Sequence, residues 1–285
     1  MNEKKISAEM IKELRDRSGV SMGKCKEALE QAGGDMNKAI DILRKSGVAS
    51  AVKKEGRETN EGLIGAAEGK EAIAFVEINA ETDFVTQNEK FKQLLRDIAQ
   101  EAVDSATSSL DVLMKRSYSK DPSLSLDQYR ALVMQSLGEN IQVKRLQLFP
   151  KSPDLSIGIY SHMGGKIVTA VLLTGGCGQE ALARDIAMHI AAEAPEYLRP
   201  EDVPAEVRAK EEEIARSQLQ GSKPPHIMDK IIQGKIEAFC NEVCLLCQKY
   251  VKDNTITVTQ LLEKESQRLN KQIQIQSYHR WKVGG

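Results

Sequence analysis

Leu95-Arg96-Asp97-Ile98-Ala99 and, much further along the chain, Ala183-Arg184-Asp185-Ile186-Ala187 are near-copies of one helical phrase. What precedes each is alike as well. Before the first lies a strand-like pair around Gly69, residues 63–67 and then Ala72-Ile73-Ala74-Phe75-Val76-Glu77-Ile78. Ile73, Phe75 and Glu77 fall on one side of that strand; Ala72, Ala74, Val76 and Ile78 fall on the other. Before the second, Ser156-Ile157-Gly158-Ile159-Tyr160-Ser161-His162 leads through Gly164-Gly165 to Lys166-Ile167-Val168-Thr169-Ala170-Val171-Leu172-Leu173. Hairpin, strand, loop and helix therefore occur twice, which predicts an α+β fold with a duplicated core subdomain. The second copy has the shorter strand-to-helix connection and lacks the stretch that holds Phe84.

In that stretch, Thr82-Asp83-Phe84-Val85 reads as a loop, and Thr86 with Glu89 has capping-box spacing for the helix that follows. Phe91, Leu94, Leu95, Ile98 and Ala102 form the helix's apolar stripe. A phenylalanine in such a place is usually core; the competing reading is an exposed anchor for a partner.

Outward from this core, the N-terminal residues read as three short helices. Ser7 caps the first, with Met10, Ile11 and Leu14 on one face; Ser21 caps the second, with Met22, Cys25, Leu29 and Ala32 at helical spacing. Gly33-Gly34 ends it, Asp35 caps the third, and Met36, Ala39, Ile40 and Leu43 point inward. The polar run 52–61 reads as a linker. On the other side, prolines and acids break the chain from Glu196 to Pro204. Two long helices are predicted at 205–218 and 226–247, joined by Gln220-Gly221-Ser222-Lys223-Pro224-Pro225, as a projecting helical hairpin. Val207 and Ile214 are the few apolar residues of the first; Ile232, Ile236, Phe239, Val243 and Leu246 form the stripe of the second. The expected domains are 1–51, 52–147, 148–198 with 248–285, and the hairpin 199–247.

Composition excludes several function classes. A chain of 285 residues holds two or three packed units. Aromatics at 4% argue against an aromatic-lined cleft or a base-stacking platform. Lys+Arg (40) and Asp+Glu (41) nearly cancel, so no direct nucleic-acid partner is expected. The start Met1-Asn2-Glu3-Lys4-Lys5 has no apolar run behind it, so a signal peptide is not expected. The longest apolar stretch, from Ile167 to Leu173, is too short to span a bilayer, so no membrane partner is expected either. Five cysteines, an odd number, do not read as a disulfide framework, and a reduced, cytoplasmic setting fits best.

The constellations that resemble catalytic motifs have plainer readings. Gly176-Cys177-Gly178-Gln179-Glu180-Ala181 lacks the second parallel strand ending in an acid that a dinucleotide site requires, so it reads as a glycine turn. Cys240, Cys244 and Cys247 have the spacing of an iron–sulfur site, but spacings of four and three also mark one face of a helix, and buried thiols are expected. Ser21-x-x-Lys24 lacks the companion motifs of a serine acyl-enzyme. His189 lies beside Ile186 and Ile190 and reads as packing, whereas His162 sits at a strand end beside a glycine turn, where side chains are presented and a solvated loop histidine is the default reading. No catalytic residue, metal site or cofactor is read from the sequence.

Leu14-Arg15-x2-Ser18-Gly19-x2-Met22-x2-Cys25-Lys26-x-Ala28-Leu29 and Gly34-Asp35-x3-Ala39-Ile40-x2-Leu43-Arg44-x2-Gly47 resemble the N-terminal module of the bacterial elongation factor Ts family. Asn79-x-Glu81-Thr82-Asp83-Phe84-Val85 is similar to that family's central signature. Ile186-Ala187-Met188-His189 and Pro195-Glu196-Tyr197-Leu198 match its second half. The resemblance implies a three-helix, UBA-like N-terminal bundle and a guanine nucleotide exchange factor, not an enzyme, whose partner is elongation factor Tu. It implies that Thr82, Asp83, Phe84 and Val85 carry the disturbance of the partner's magnesium site. It also implies that Leu14, Arg15, Ser18, Gly19, Val20, Met22 and His162 make further partner contacts, and it leaves a homodimer through the hairpin open. Many family members carry a further helical module beyond the position of Trp281, and the resemblance leaves that contact open here.

Overall fold

The computed structural model describes residues 6–218 and 225–285, so the start 1–5 and the stretch 219–224, which holds most of the expected connector, lie outside the described residues. Helix and strand are mixed along the chain and the N-terminal region is helical, in line with the α+β expectation. Two compact units divide the chain. One comprises Met1–Lys151, Gly164–Lys166 and Lys282–Gly285; the other comprises Ser152–Met163 and Ile167–Trp281.

The first unit opens with α1 (Ala8–Ser18), α2 (Met22–Gln31) and α3 (Met36–Lys54). Their apolar faces close on Leu14, Val20, Cys25, Leu29, Ala39 and Leu43. Ser7 and Asp35 cap α1 and α3 through their side chains, accepting from Met10 N and Lys38 N. Ser21 stands at the cap position of α2 but makes no such bond. The linker expected from residue 52 begins later, because α3 continues to Lys54. Tertiary packing extends it: Ala51 is buried in the next core, and Lys54 Nζ donates to Gly138 O at 2.7 Å.

That core is built on β1 (Glu61–Glu68), β2 (Ala72–Ala80), α4 (Asp83–Gln87), α5 (Glu89–Asp104), α6 (Leu110–Lys115), β3 (Ser117–Tyr118), β4 (Asp121–Ser125), α7 (Leu126–Leu137) and β5 (Ile141–Pro150). The sheet order is β1-β2-β5, antiparallel throughout. As the central strand β2 is buried on both faces, it reads as a continuous apolar run. The stripe Phe91, Leu94, Leu95, Ile98 and Ala102 of α5 covers this sheet as expected. Glu77 is buried and paired with Arg145 at 2.7 Å, and its other oxygen accepts from Gly284 N at 3.0 Å.

The second unit repeats the order with β6 (Ser156–His162), β7 (Ile167–Thr174) and α8 (Glu180–Glu193). After α9 (Ala205–Ser217) and α10 (Pro225–Val243) come β8 (Lys249–Tyr250), β9 (Asp253–Thr257), α11 (Val258–Leu269) and β10 (Gln274–Lys282), with sheet order β10-β7-β6. The helices α9 and α10 pack through Ala215, Ile232, Ile236 and Cys240. Of the apolar residues of α9, Ile214 is 39% exposed, and Ala215 takes the inward place.

Matching residues hold the two small hairpins against their helices. In the first unit Asp97 accepts from Tyr118 Oη, Lys120 Nζ and Tyr129 Oη at 2.7, 2.7 and 3.2 Å. Burial alone would raise the Asp97 carboxyl, but hydrogen bonds from Lys120, Tyr118 and Gln93 outweigh it and hold it below its ordinary value. In the second unit Asp185 accepts from Lys252 Nζ at 2.7 Å. Burial, followed by the nearby Asp185 carboxylate, pushes the Tyr250 hydroxyl up to about 12.

Candidate partner-binding site

Residues 79–86 divide into a frame and a tip. Asn79 is buried, and its Nδ2 donates to Thr59 O at 3.2 Å. Glu81 Oε1 accepts from Asn140 N at 2.6 Å and pairs with Arg57 at 3.3 Å. Thr82 gives both its backbone N and its Oγ1 to Glu139, at 3.0 and 2.6 Å. Val85 and Thr86 are buried beneath, and Thr86 Oγ1 donates to Asp83 O at 2.8 Å. The frame thus leaves Asp83 and Phe84 facing outward. Phe84 is 86% exposed, the most exposed large apolar side chain among the described residues. Isolated apolar exposure is common, but a phenylalanine on a fixed base is not a frayed core residue.

The stretch expected as a loop is the one-turn helix α4, with Thr82 at its N-cap position. Thr86 does not cap α5, because its hydroxyl is spent inside α4. Asn88 does so instead, its side chain accepting from Lys90 N at 2.9 Å.

The residues expected in the N-terminal contact separate in the same way. Leu14 and Val20 are fully buried core. Ser18 Oγ donates to Leu14 O at 2.7 Å and accepts from Val20 N at 3.3 Å, shaping the turn after α1. Gly19 caps α1 at φ 66°, a left-handed conformation open to glycine at little cost. Arg15 is exposed and Met22 is 48% exposed, so these two side chains can meet a partner directly.

In the second unit His162 ends β6, exposed, with Nδ1 at 3.2 Å from Tyr160 Oη. Met163 follows it, 70% exposed and at φ 50°. Sequence reasoning passed over Met163, although an apolar residue next to Gly164-Gly165 was there to be seen. It also missed Glu139 and Asn140, which hold the base of α4 from a distant segment.

The remaining constellations are accounted for by packing. Gly176 lies in the turn between β7 and α8, where Ser156 Oγ donates to Gly176 O and accepts from Gln179 N, both at 2.9 Å. His189 is fully buried, with Nε2 at 3.0 Å from Gln248 Oε1 and Nδ1 accepting from Val251 N at 3.2 Å. Burial lowers its pKa, and accepting at Nδ1 fixes a neutral ring with the proton on Nε2. The cysteine triplet does not lie along one helix, because α10 ends at Val243. Glu196 N and Tyr197 N bond Val243 O, and the chain turns there. Cys244 and Cys247 sit in the turn beside Cys240, and burial, followed by the neighbouring thiols, pushes Cys244 up to about 12. It is a protonated core thiol. Among the described residues no group of three or more His, Cys, Asp or Glu is arranged to hold a metal, and no helix is long and apolar enough to cross a membrane.

Residues 81–285 match the family model described as elongation factor TS. Among curated proteins, an elongation factor Ts of Protochlamydia amoebophila is 56% identical over 279 residues, covering 98% of this chain and 99% of that one. Those of Chlamydia muridarum and Chlamydia felis are 43% and 42% identical over the same length. With a family match over more than half the chain and such identity along nearly all of it, the chain belongs to the elongation factor Ts family and is a translation elongation factor.

Proposed function

We propose that this chain is a guanine nucleotide exchange factor for elongation factor Tu, and that Asp83 and Phe84 are the tip that disturbs the GTPase's magnesium and phosphate site. The observation that carries the reading is Phe84, 86% exposed on a helix whose base is fixed. A GTPase holds GDP through backbone amides of its phosphate loop and a magnesium ion. At nanomolar affinity, about 12 kcal/mol, release is slow. Accelerating it by four or five decades takes roughly 5.5–7 kcal/mol of preference for the open state. Burying Phe84 in the partner contributes about 1.5–3 kcal/mol of this. Arg15, Met22 and His162 supply part of the remainder by direct contact, while Leu14, Ser18, Gly19, Val20, Thr82 and Val85 hold the contacting residues in place. No bond is made or broken, so the protein is not an enzyme.

Binding linkage closes the cycle: a factor that weakens nucleotide binding is itself weakened by nucleotide in the same ratio, so GTP displaces it. The finer architecture belongs to this reading, with a UBA-like module at 1–51, core halves at 52–147 and 148–198 with 248–285, and a helical hairpin at 199–247. The hairpin is also where a homodimer would form. Cytoplasmic location and the lack of nucleic-acid or membrane partners complete it.

Release of fluorescent GDP from elongation factor Tu tests the proposal with wild type, Asp83→Ala and Phe84→Ala. Wild type should accelerate release, and Phe84→Ala should lose about 10- to 100-fold of the acceleration while still binding. If both variants match wild type, the tip assignment is wrong; if wild type does nothing, the function is.

A further inference from the structure

The two contact segments of the first unit are tied together by a closed triangle of hydrogen bonds. Lys90 Nζ donates to Gly19 O at 2.8 Å and to Ser136 Oγ at 2.7 Å, and Ser136 Oγ donates to Gly19 O at 2.7 Å. Each member is placed by its element. The left-handed cap at Gly19 turns its carbonyl away from α1. Glycine is favoured there by φ, and a Cβ on Gly19 would lie 2.8 Å from Lys90 Nζ and push the ammonium aside. Lys90 is in the first turn of α5, two residues after the Asn88 cap. Asn88 N in turn donates to Val85 O of α4 at 3.0 Å. From Phe84 to Met22 the path is therefore short and bonded at each step.

What surrounds the triangle explains why it matters. The helix α3 packs on α7 around Gly47, where a Cβ would meet Gln135 and Leu132. Away from that seam the helical module and the core are separated by a cavity of about 700 Å³, lined among others by Arg17, Ile40, Arg44, Tyr129 and Leu132. Apolar packing does not fix the module across such a gap, and a charge-assisted contact at its edge does. Arg44, bonded to Ser123 Oγ at 2.7 Å, holds another part of the same cavity wall. The Lys90 triangle, by contrast, ties the core to the turn between α1 and α2 that leads into Met22.

We propose that Lys90 is a positioning residue: it locks the 18–22 turn at a set place relative to Phe84, so that both reach the partner GTPase already aligned. The inference rests on the exchange reading above. Pre-alignment lowers the ordering cost of binding without touching the nucleotide site. It acts on affinity and leaves the rate at saturation alone.

The test is GDP release from elongation factor Tu as a function of factor concentration, using the full chain. Lys90→Met keeps the stem and removes the donor; since Lys90 is exposed, folding is not at stake. Half-saturation should rise about tenfold with the plateau within about twofold of wild type. Lys90→Arg, which still donates, should recover most of the loss, and Ser136→Ala should lose less than Lys90→Met. In the Lys90→Met background, Met22→Ala should cost markedly less than in wild type, because a misplaced turn no longer delivers Met22. Wild-type half-saturation in Lys90→Met overturns the inference, as do a fallen plateau or simple multiplication of the Lys90 and Met22 effects. In each of those cases a functioning wild type leaves the exchange reading standing. A wild type that does not bind ends both.

Discussion

Leu95 and Ala183 stand at the same place in the two helical phrases, and the difference between them sets how close each helix comes to its sheet. In the first unit, a Cβ on Gly65 of β1 would meet the Leu95 side chain at 2.7 Å. In the second, a Cβ on Gly158 of β6 would meet the backbone of Arg184 at 2.0 Å. The alanine lets α8 lie directly on the strand, where the leucine props α5 away. Close approach brings a further bond: Thr169 Oγ1 of β7 donates to Ala187 O of α8 at 2.7 Å. The strand-to-helix connections diverge too. Residues 81–88 carry α4 and the exposed Phe84, whereas residues 175–179 make only a glycine turn. One framework thus yields a half that offers a side chain outward and a half that is drawn tight.

The largest effect expected from this comparison is on the glycines. Gly158→Ala must displace helix backbone and should cost about 3 kcal/mol or more, while Gly65→Ala meets a side chain that can turn and should cost about 1 kcal/mol. Denaturant unfolding that ranks them the other way would break the comparison. The hairpin clamps come next. Asp97 is 4% exposed and bonds both tyrosines and Lys120, so Asp97→Asn should cost about 2–3 kcal/mol. The Asp185–Lys252 pair is 43% and 46% exposed, and Asp185→Asn should cost less than about 1 kcal/mol. Equal losses would mean that the two clamps are not graded by burial.

The smallest effect is a pH slope. Where the first half uses Glu101 Oε1 to accept from Ser119 N at 2.7 Å, the second uses His189 to accept from Val251 N. Burial lowers the folded pKa of His189 below its ordinary 6.5, so between those values the unfolded chain holds the extra proton. Stability of the second unit is then fully present above about 6.5 and is lost as pH falls towards the folded value. His279, lowered by burial in the same direction, adds its own share. Fluorescence of Trp281, the chain's single tryptophan, should report a shallower slope in His189→Gln. An unchanged slope would remove His189 from the account.

The duplicated hairpin-and-helix was legible because its strands and helices are long enough to show their periods. The tip was not. Five residues of α4 show no helical period, and the hydroxyl of Thr86 had two backbone destinations that spacing alone does not separate. Residues 105–150 gave little, because β3 and β4 are two and five residues long and are held by Asp97, far away in sequence. The framing of the tip by Glu139 and Asn140 had only an indirect sign, the polar Asn79 and Glu81 at the end of an apolar strand, which required partners from somewhere. Thr169 had its sign as well: a hydroxyl in a buried apolar run, whose partner is the helix that Gly158 admits.

The bond from Gly284 N to Glu77 spans 207 positions of sequence, and Arg145 Nη2, which also pairs with Glu77, donates to Lys282 O at 2.8 Å. On a translating ribosome the strands β1, β2 and β5 emerge long before residues 282–284 are made. Until those residues follow, a carboxylate at the centre of that sheet waits for its second oxygen to be satisfied. The sheet made first therefore gains its full set of bonds late, and part of its stability is withheld until the segment 282–284 has been synthesised.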